Sequence, residues 1–167
     1  MLIFAEKMNA FSFSKLMDVY EEGNRDNGVL RYAHLSESQQ LLCAENDFYQ
    51  YLSEVFFRER DAIYSIWEER ERYISALRLE PYCDGMLLSA LETRPDARGK
   101  GYATKLVKAV IDTLRMSGSG RVYSHVSKSN SQSLSVHLKN NFEIVKDYAV
   151  YLDGSVAQNC YTLRLEY

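Results

Sequence analysis

The residues best placed for chemistry lie between Leu91 and Val107, in the run LETRPDARGKGYATKLV. Within it, Arg98, Gly99, Lys100, Gly101, Tyr102, Ala103 and Thr104 form a glycine-rich loop and the first turn of a helix. Small residues let backbone N–H groups come close to a ligand. A helix N-terminus adds unpaired N–H donors and a partial positive charge, and Arg98 and Lys100 add full charges. Such a loop suits an anion, above all a phosphate or pyrophosphate. It is not a Walker A loop, which needs Gly-x-x-x-x-Gly-Lys-Ser/Thr. It is not the Gly-x-Gly-x-x-Gly dinucleotide fingerprint either, because Thr104 stands where the third glycine is required.

The spacing of apolar residues predicts the elements that must hold this loop. Ala103, Leu106, Val107, Val110 and Leu114 share one helical face after it, and Met86–Thr93 reads as a central strand before it. Upstream, residues 2–5 suit a short strand. A helix starts near Phe13 and is expected to end at Gly23 or at Asp26-Asn27-Gly28. A second helix lies within Ser36–Phe57. Ile63–Trp67 and Tyr73–Leu79 read as strands joined by a charged tip at Glu68–Arg72. Downstream come a strand over Val122–Val126 and a short helix capped by Asn130 or Ser131. A left-handed residue is expected at Asn141, and strands at Phe142 onward and Tyr161–Leu165 close the chain. The order β-α-α-β-β-β-α-β-α-β-β predicts a mixed α/β class: a sheet of about six to seven strands with about four helices packed on it.

Composition narrows the function classes. The 167 residues suit a single domain over 1–167, with a helical region over 1–60 and the sheet over 61–167. With 46% hydrophobic and 26% charged residues the chain is neither disordered nor fibrous. A net charge of −3 argues against nucleic acid as a partner. Cys43, Cys83 and Cys160 are odd in number and widely spaced, which argues against a zinc site and against a disulfide scaffold; no metal is expected. No long apolar run or signal sequence is evident, so no membrane partner is expected and the expected location is cytoplasmic. The alternating Tyr161, Leu163 and Leu165 either pair across a homodimer or complete the sheet.

Two motifs carry a family resemblance. Arg98-x-x-Gly101-x-Ala103 is similar to the Gln/Arg-x-x-Gly-x-Gly/Ala motif of the GNAT superfamily, the acetyl-CoA-dependent N-acetyltransferases. Thr93-Arg94-Pro95 before it resembles the family's strand end. Asn130, Ser133 and Asn141-Phe142 resemble a second motif, in which Asn-x-x-Ser/Ala opens a helix that ends in Gly-Phe. The likeness is good over about residues 72–150. It implies a GNAT-like fold whose sheet splays between Met86–Thr93 and Val122–Val126. It also implies acetyl-CoA as co-substrate, its pantetheine arm along Leu91 and Thr93 and its pyrophosphate on the N–H groups of Arg98–Thr104. The acceptor amine of a small molecule or peptide would then attack the thioester directly, with no covalent enzyme intermediate.

The resemblance leaves the proton-handling groups open. Family members often place a tyrosine four residues before the helix-ending glycine, to serve the leaving thiolate. His137 stands there in this chain and is the candidate acid, or else it completes the helix's inner face with Leu134 and Leu138. For the base, strict alternation puts Leu87, Ser89 and Leu91 on the inward face of the strand. Glu92, its only carboxylate, then points away unless a bulge re-aims it. His125 is a further candidate. The acceptor is not readable: Glu68, Glu69 and Glu71 either attract a polyamine or basic peptide or form a solvated tip. Tyr20, Tyr49 and Tyr51 are expected near the acceptor cleft. Other readings are transfer of a different acyl group, a non-catalytic CoA-binding module, and a nucleotide-phosphate binder that shares only the loop.

Overall fold

In the computed structural model, which describes residues 1–167, strand β1 (Leu2–Ala5) is followed by two long helices, α1 (Phe13–Arg31) and α2 (Glu37–Glu54). Then come β2 (Ile63–Glu69), β3 (Arg72–Tyr82), β4 (Gly85–Thr93), α3 (Tyr102–Met116), β5 (Arg121–Ser127), α4 (Ser131–Lys139) and β6 (Glu143–Lys146). A small hairpin of β7 (Ala149–Val150) and β8 (Val156–Ala157) precedes β9 (Cys160–Glu166). Seven strands form one sheet in the order β1-β2-β3-β4-β5-β9-β6, with the β7-β8 pair apart. Only β4 and β5 run parallel; every other neighbouring pair is antiparallel.

The helices divide between the two faces of this sheet. Leu16, Val19 and Tyr20 of α1 and Leu52 of α2 join Tyr64, Ile66 and Ala76 in one core. Leu106, Val107, Val110 and Ile111 of α3 join Leu77, Leu79, Leu88, Val122 and Leu163 in the other. The amphipathic stripes read from the sequence are therefore the buried stripes, because an apolar face must leave water wherever a partner is offered.

Three boundaries differ from expectation, each for a tertiary reason. Helix α1 passes through Gly23 and Gly28 and ends only at Arg31. A glycine inside a helix costs about 1 kcal/mol against alanine, and packing against α2 outweighs that. At Gly28 the backbone of α2 is so close that a Cβ would stand 2.7 Å from the Gln40 carbonyl oxygen. The charged tip is shorter than Glu68–Arg72, since only Arg70 and Glu71 turn, both at positive φ. Glu69 is also no free acidic patch. It accepts hydrogen bonds from Trp67 Nε1 (3.0 Å), Tyr102 Oη (2.9 Å) and Lys105 Nζ (3.3 Å), and these hold its carboxyl down to about 2. Finally, β3 runs past the expected end at Leu79 to Tyr82, because Glu80, Pro81 and Tyr82 pair with Leu87, Met86 and Gly85 of β4, and the turn falls at Cys83-Asp84.

Candidate functional site

The parallel pair that closes the sheet's centre is short. Strands β4 and β5 pair at Met86↔Val122, Leu87↔Tyr123 and Leu88↔Ser124 and then separate. From Ser89 to Thr93 the edge of β4 that faced β5 has no strand partner. On its other edge β4 stays paired with β3 but carries a bulge: Ser89 sits opposite Arg78 and Glu92 opposite Ala76, so Ala90 and Leu91 together face Leu77. Ala90 has φ +49°. An extra residue flips the face of everything after it. Leu91 consequently packs into the α3-side core, and Glu92 shares the α1/α2 face with Ala76. The strict alternation that put Leu91 inward and turned Glu92 away is corrected by this bulge. Tyr20 Oη of α1 fastens it by donating to the Ala90 carbonyl at 2.7 Å.

The loop after β4 presents an unbroken row of donors. Gly101 caps α3 at φ +80°, and Gly99 has φ +74°. The first backbone bond into the helix runs from Lys105 N–H to the Gly101 carbonyl, 3.0 Å. No backbone carbonyl accepts from the N–H groups of Gly99, Lys100, Gly101, Tyr102, Ala103 or Thr104. Beside them lies a cavity of about 760 Å³. Gly99 and Gly101–Thr104 line it, with Arg98, with Leu91 and Thr93 of β4, and with Asn130 and Ser133 of α4. Of the two expected caps it is Asn130 that opens α4, accepting from Ser133 N–H at 2.9 Å.

The charged residues of the loop behave differently from expectation. Lys100 does not line the cavity; its Nζ donates to the Asp96 carbonyl at 2.8 Å. Arg98 does line it, but its charge is compensated. It pairs with Glu22 of α1 and with Glu92 (3.6 Å), and its Nε donates to the Thr93 carbonyl at 3.2 Å. Lys139, not singled out in the sequence, lines the cavity and has no carboxylate within ion-pair distance. It reaches the site because α4 is tied to the start of α3, Asn140 Nδ2 donating to the Thr104 carbonyl at 3.3 Å.

A second cavity, of about 520 Å³, opens on the α1/α2 face. It begins where the first one ends: Ala90 borders this cavity and Leu91 the other. Tyr51 lines it, Tyr20 sits behind it at the bulge, and Tyr49 is exposed with its ring against Phe13. His125 of β5 lines it too. Both ring nitrogens of His125 are buried without a hydrogen-bond partner, and burial, aided by Lys146, pulls its pKa below the usual imidazole value. Glu92, beside the bulge, lines the first cavity and not this one; burial pushes its pKa above the ordinary carboxylate value, with Arg98 opposing the shift.

His137 has different surroundings. It is 1% exposed, lines neither cavity, and stands edge-on to Phe142 at 5.1 Å. Its Nδ1 is 2.8 Å from the Ser133 carbonyl. A carbonyl only accepts, so Nδ1 holds the proton and the buried, unpartnered Nε2 has none to give. Burial lowers its pKa further from the imidazolium form. The expected general acid therefore has the wrong tautomer and the wrong charge, and the alternative, an inward packing residue, fits.

A stability prediction follows. The unfolded imidazole takes up a proton near pH 6.5, whereas the buried one resists it. Protons then bind more to the unfolded chain, so His137 stabilises fully above about 6.5 and that contribution is lost as pH falls toward its lowered folded value. Urea titrations at pH 7.5, 6.5 and 5.5 should show a decline that is shallower in His137→Gln. His137→Ala should lose about 2–3 kcal/mol at pH 7.5, from the emptied site.

Comparison with known proteins agrees with this architecture. Residues 17–142 match the Acetyltransferase (GNAT) family. No curated protein sequence matches the chain. Among solved structures, the PaiA N-acetyltransferase from Thermoplasma acidophilum, in complex with coenzyme A, is similar at TM-score 0.63 and 15% identity, over 100% of this chain and 99% of that one. An N-acetyltransferase from Staphylococcus aureus Mu50 gives 0.60 and 14%, over 99% and 98%. The ribosomal-protein-S18-alanine N-acetyltransferase from Escherichia coli gives 0.59 and 15%, over 99% and 94%. At such identities these structures speak to the fold alone. The splayed strands and the donor loop coincide with the matched segment, and the chain belongs to the GNAT family of acetyltransferases.

Proposed function

We propose that the protein moves an acetyl group from acetyl-CoA to a primary amine by direct attack in a ternary complex. The observation that carries this reading is the run of acceptorless N–H groups from Gly99 to Thr104, all but Lys100 on residues that line a cavity beside a splayed strand edge. Those donors suit the oxygens of a diphosphate without any side-chain charge. Lys139 supplies the nearby cation that Arg98 and Lys100, engaged elsewhere, do not. The open edge of β4 suits an extended amide-bearing arm, held by strand-type hydrogen bonds. Asn130 and Ser133 bound the same space from α4.

The acceptor enters through the cavity on the α1/α2 face, which meets the cofactor side at Ala90 and Leu91. The amine nitrogen attacks the thioester carbonyl carbon, the C–S bond breaks and sulfur keeps the electron pair. The amine proton passes to Glu92, directly or through water. A thiol pKa near 8.5 lets the thiolate leave without a dedicated acid and take its proton from solvent. Glu92 fits the role of base because partial burial raises its proton affinity while Arg98 keeps its neighbourhood polar. His125, which borders the acceptor cavity with both ring nitrogens buried and unpartnered, is the second reading for the base.

Thermal unfolding with saturating acetyl-CoA tests the cofactor. At about 100 times Kd, binding adds roughly 2.7 kcal/mol. Each kcal/mol moves the midpoint of a domain this size by about 2–4 °C. A rise with acetyl-CoA and none with ATP or NAD is expected, followed by turnover in an amine screen. No rise with acetyl-CoA would end the reading, and a rise with ATP in its place would make the loop a nucleotide site.

A further inference from the structure

The acceptor cavity holds an arginine with no counter-ion. Arg78 of β3 lines it, with its guanidinium carbon 4.9 Å from the Tyr51 ring centroid and 5.7 Å from that of Phe56. Its Nε is buried without a hydrogen-bond partner, and no carboxylate lies within ion-pair distance. The other arginines without a carboxylate, Arg58 and Arg70, are exposed to water, so Arg78 alone is both sheltered and uncompensated. A sheltered cation left this way costs desolvation unless an anion joins it. A guanidinium held over two rings keeps its planar fork of donors, which favours bidentate capture of a carboxylate.

Opposite charge lies nearby but apart. Glu80 follows Arg78 by two residues on the same face of β3, about 6–7 Å along the strand. It is held by Ser89 Oγ at 3.3 Å rather than by Arg78. Asp153 borders the same cavity and is occupied only by the Ser155 backbone N–H at 2.9 Å. The cavity thus carries a cation at Arg78 and carboxylates at Glu80 and Asp153 that do not pair with it. A plain polyamine would leave Arg78 facing another cation.

We infer that the acceptor is a compact amino-carboxylate, its carboxylate on Arg78 and its amine on the side of the bulge at Ala90, an assignment that rests on the acetyl-transfer reading. Arg78 is then a specificity residue. It binds a part of the acceptor that does not react.

The experiment pairs each amino acid in an acceptor panel with its carboxamide and with the amine that lacks the carboxyl group, using the full chain and acetyl-CoA. The wild type is expected to favour the carboxylate form by about tenfold or more in kcat/KM. Arg78→Met should cut kcat/KM for that form by about 10²-fold, mostly through KM, and erase the preference, while the acetyl-CoA thermal shift stays unchanged. Arg78→Lys keeps the charge without the planar fork and should recover only part of the loss. Equal rates for acid and amide in the wild type would overturn the inference without any variant. So would acetylation of plain amines alone, or of no carboxylate although acetyl-CoA binds. If acetyl-CoA gives no shift, the acetyl-transfer reading itself has failed, which is a separate result.

Discussion

Gly101→Val is expected to weaken acetyl-CoA binding by about 10²-fold or more while the rest of the fold persists. The residue caps α3 at φ +80°, in the left-handed region. An ordinary L-residue pays about 1–2 kcal/mol there, and a β-branched one more. An added Cβ would meet no protein atom within 4 Å, so the free protein has room for it. The conflict arises with the ligand. The side chain projects from the row of N–H donors, and relief of the strained φ would rotate those donors out of line. Both effects act on the same few groups, so the loss should be in affinity rather than in folding. Isothermal titration with acetyl-CoA, with circular dichroism as the folding control, reads the result. A folded variant with parental affinity would remove the loop from the site.

Glu92→Gln is expected to lower kcat by about 10²–10³-fold at neutral pH, the range for loss of a positioned base. It should also change the pH profile. A base works only when deprotonated, so the wild-type rate should fall on acidification through the pKa of that group. For Glu92 this limb lies above 4.5, because burial outweighs the opposing charge of Arg98. For His125 it lies below 6.5, because burial and Lys146 both disfavour its charged form. The two windows overlap, so the midpoint alone does not separate them. The variant does: the limb disappears only when the true base is replaced. Loss of the limb in Glu92→Gln assigns the base to Glu92. An unchanged limb there, with a flat profile in His125→Gln, passes the role to the imidazole. A rate within about twofold of the parent in both would leave proton removal to solvent.

The face that Glu92 occupies marks where sequence reading stops. Alternation along β4 was countable, and so was the possibility of a bulge. Whether the bulge forms depends on β3, where Leu77 takes two opposing residues, and on the Tyr20 hydroxyl of α1, 70 residues away, which holds the Ala90 carbonyl. The charges of the loop follow the same rule. Arg98 looked free for a phosphate. Its partners are Glu22, far upstream, and Glu92, which shares its face only because of the bulge. His137 matched a family position by counting, but its tautomer and charge were set by the Ser133 carbonyl and by the closed packing around the ring.

What the sequence determined by itself was local in origin. The helical stripe of α3, the glycines that admit positive φ at 99 and 101, the Asn130 cap and the left-handed Asn141 depend on neighbours along the chain. These were enough for the mixed fold, the donor loop and the family. The tertiary structure alone decided the shift of register at Ala90, the compensation of Arg98, the recruitment of Lys139 to the cofactor cavity and the lack of a counter-ion at Arg78. Each of these is a question of which distant group comes within a few ångströms and how much water is excluded. Residue type and spacing carry no record of either.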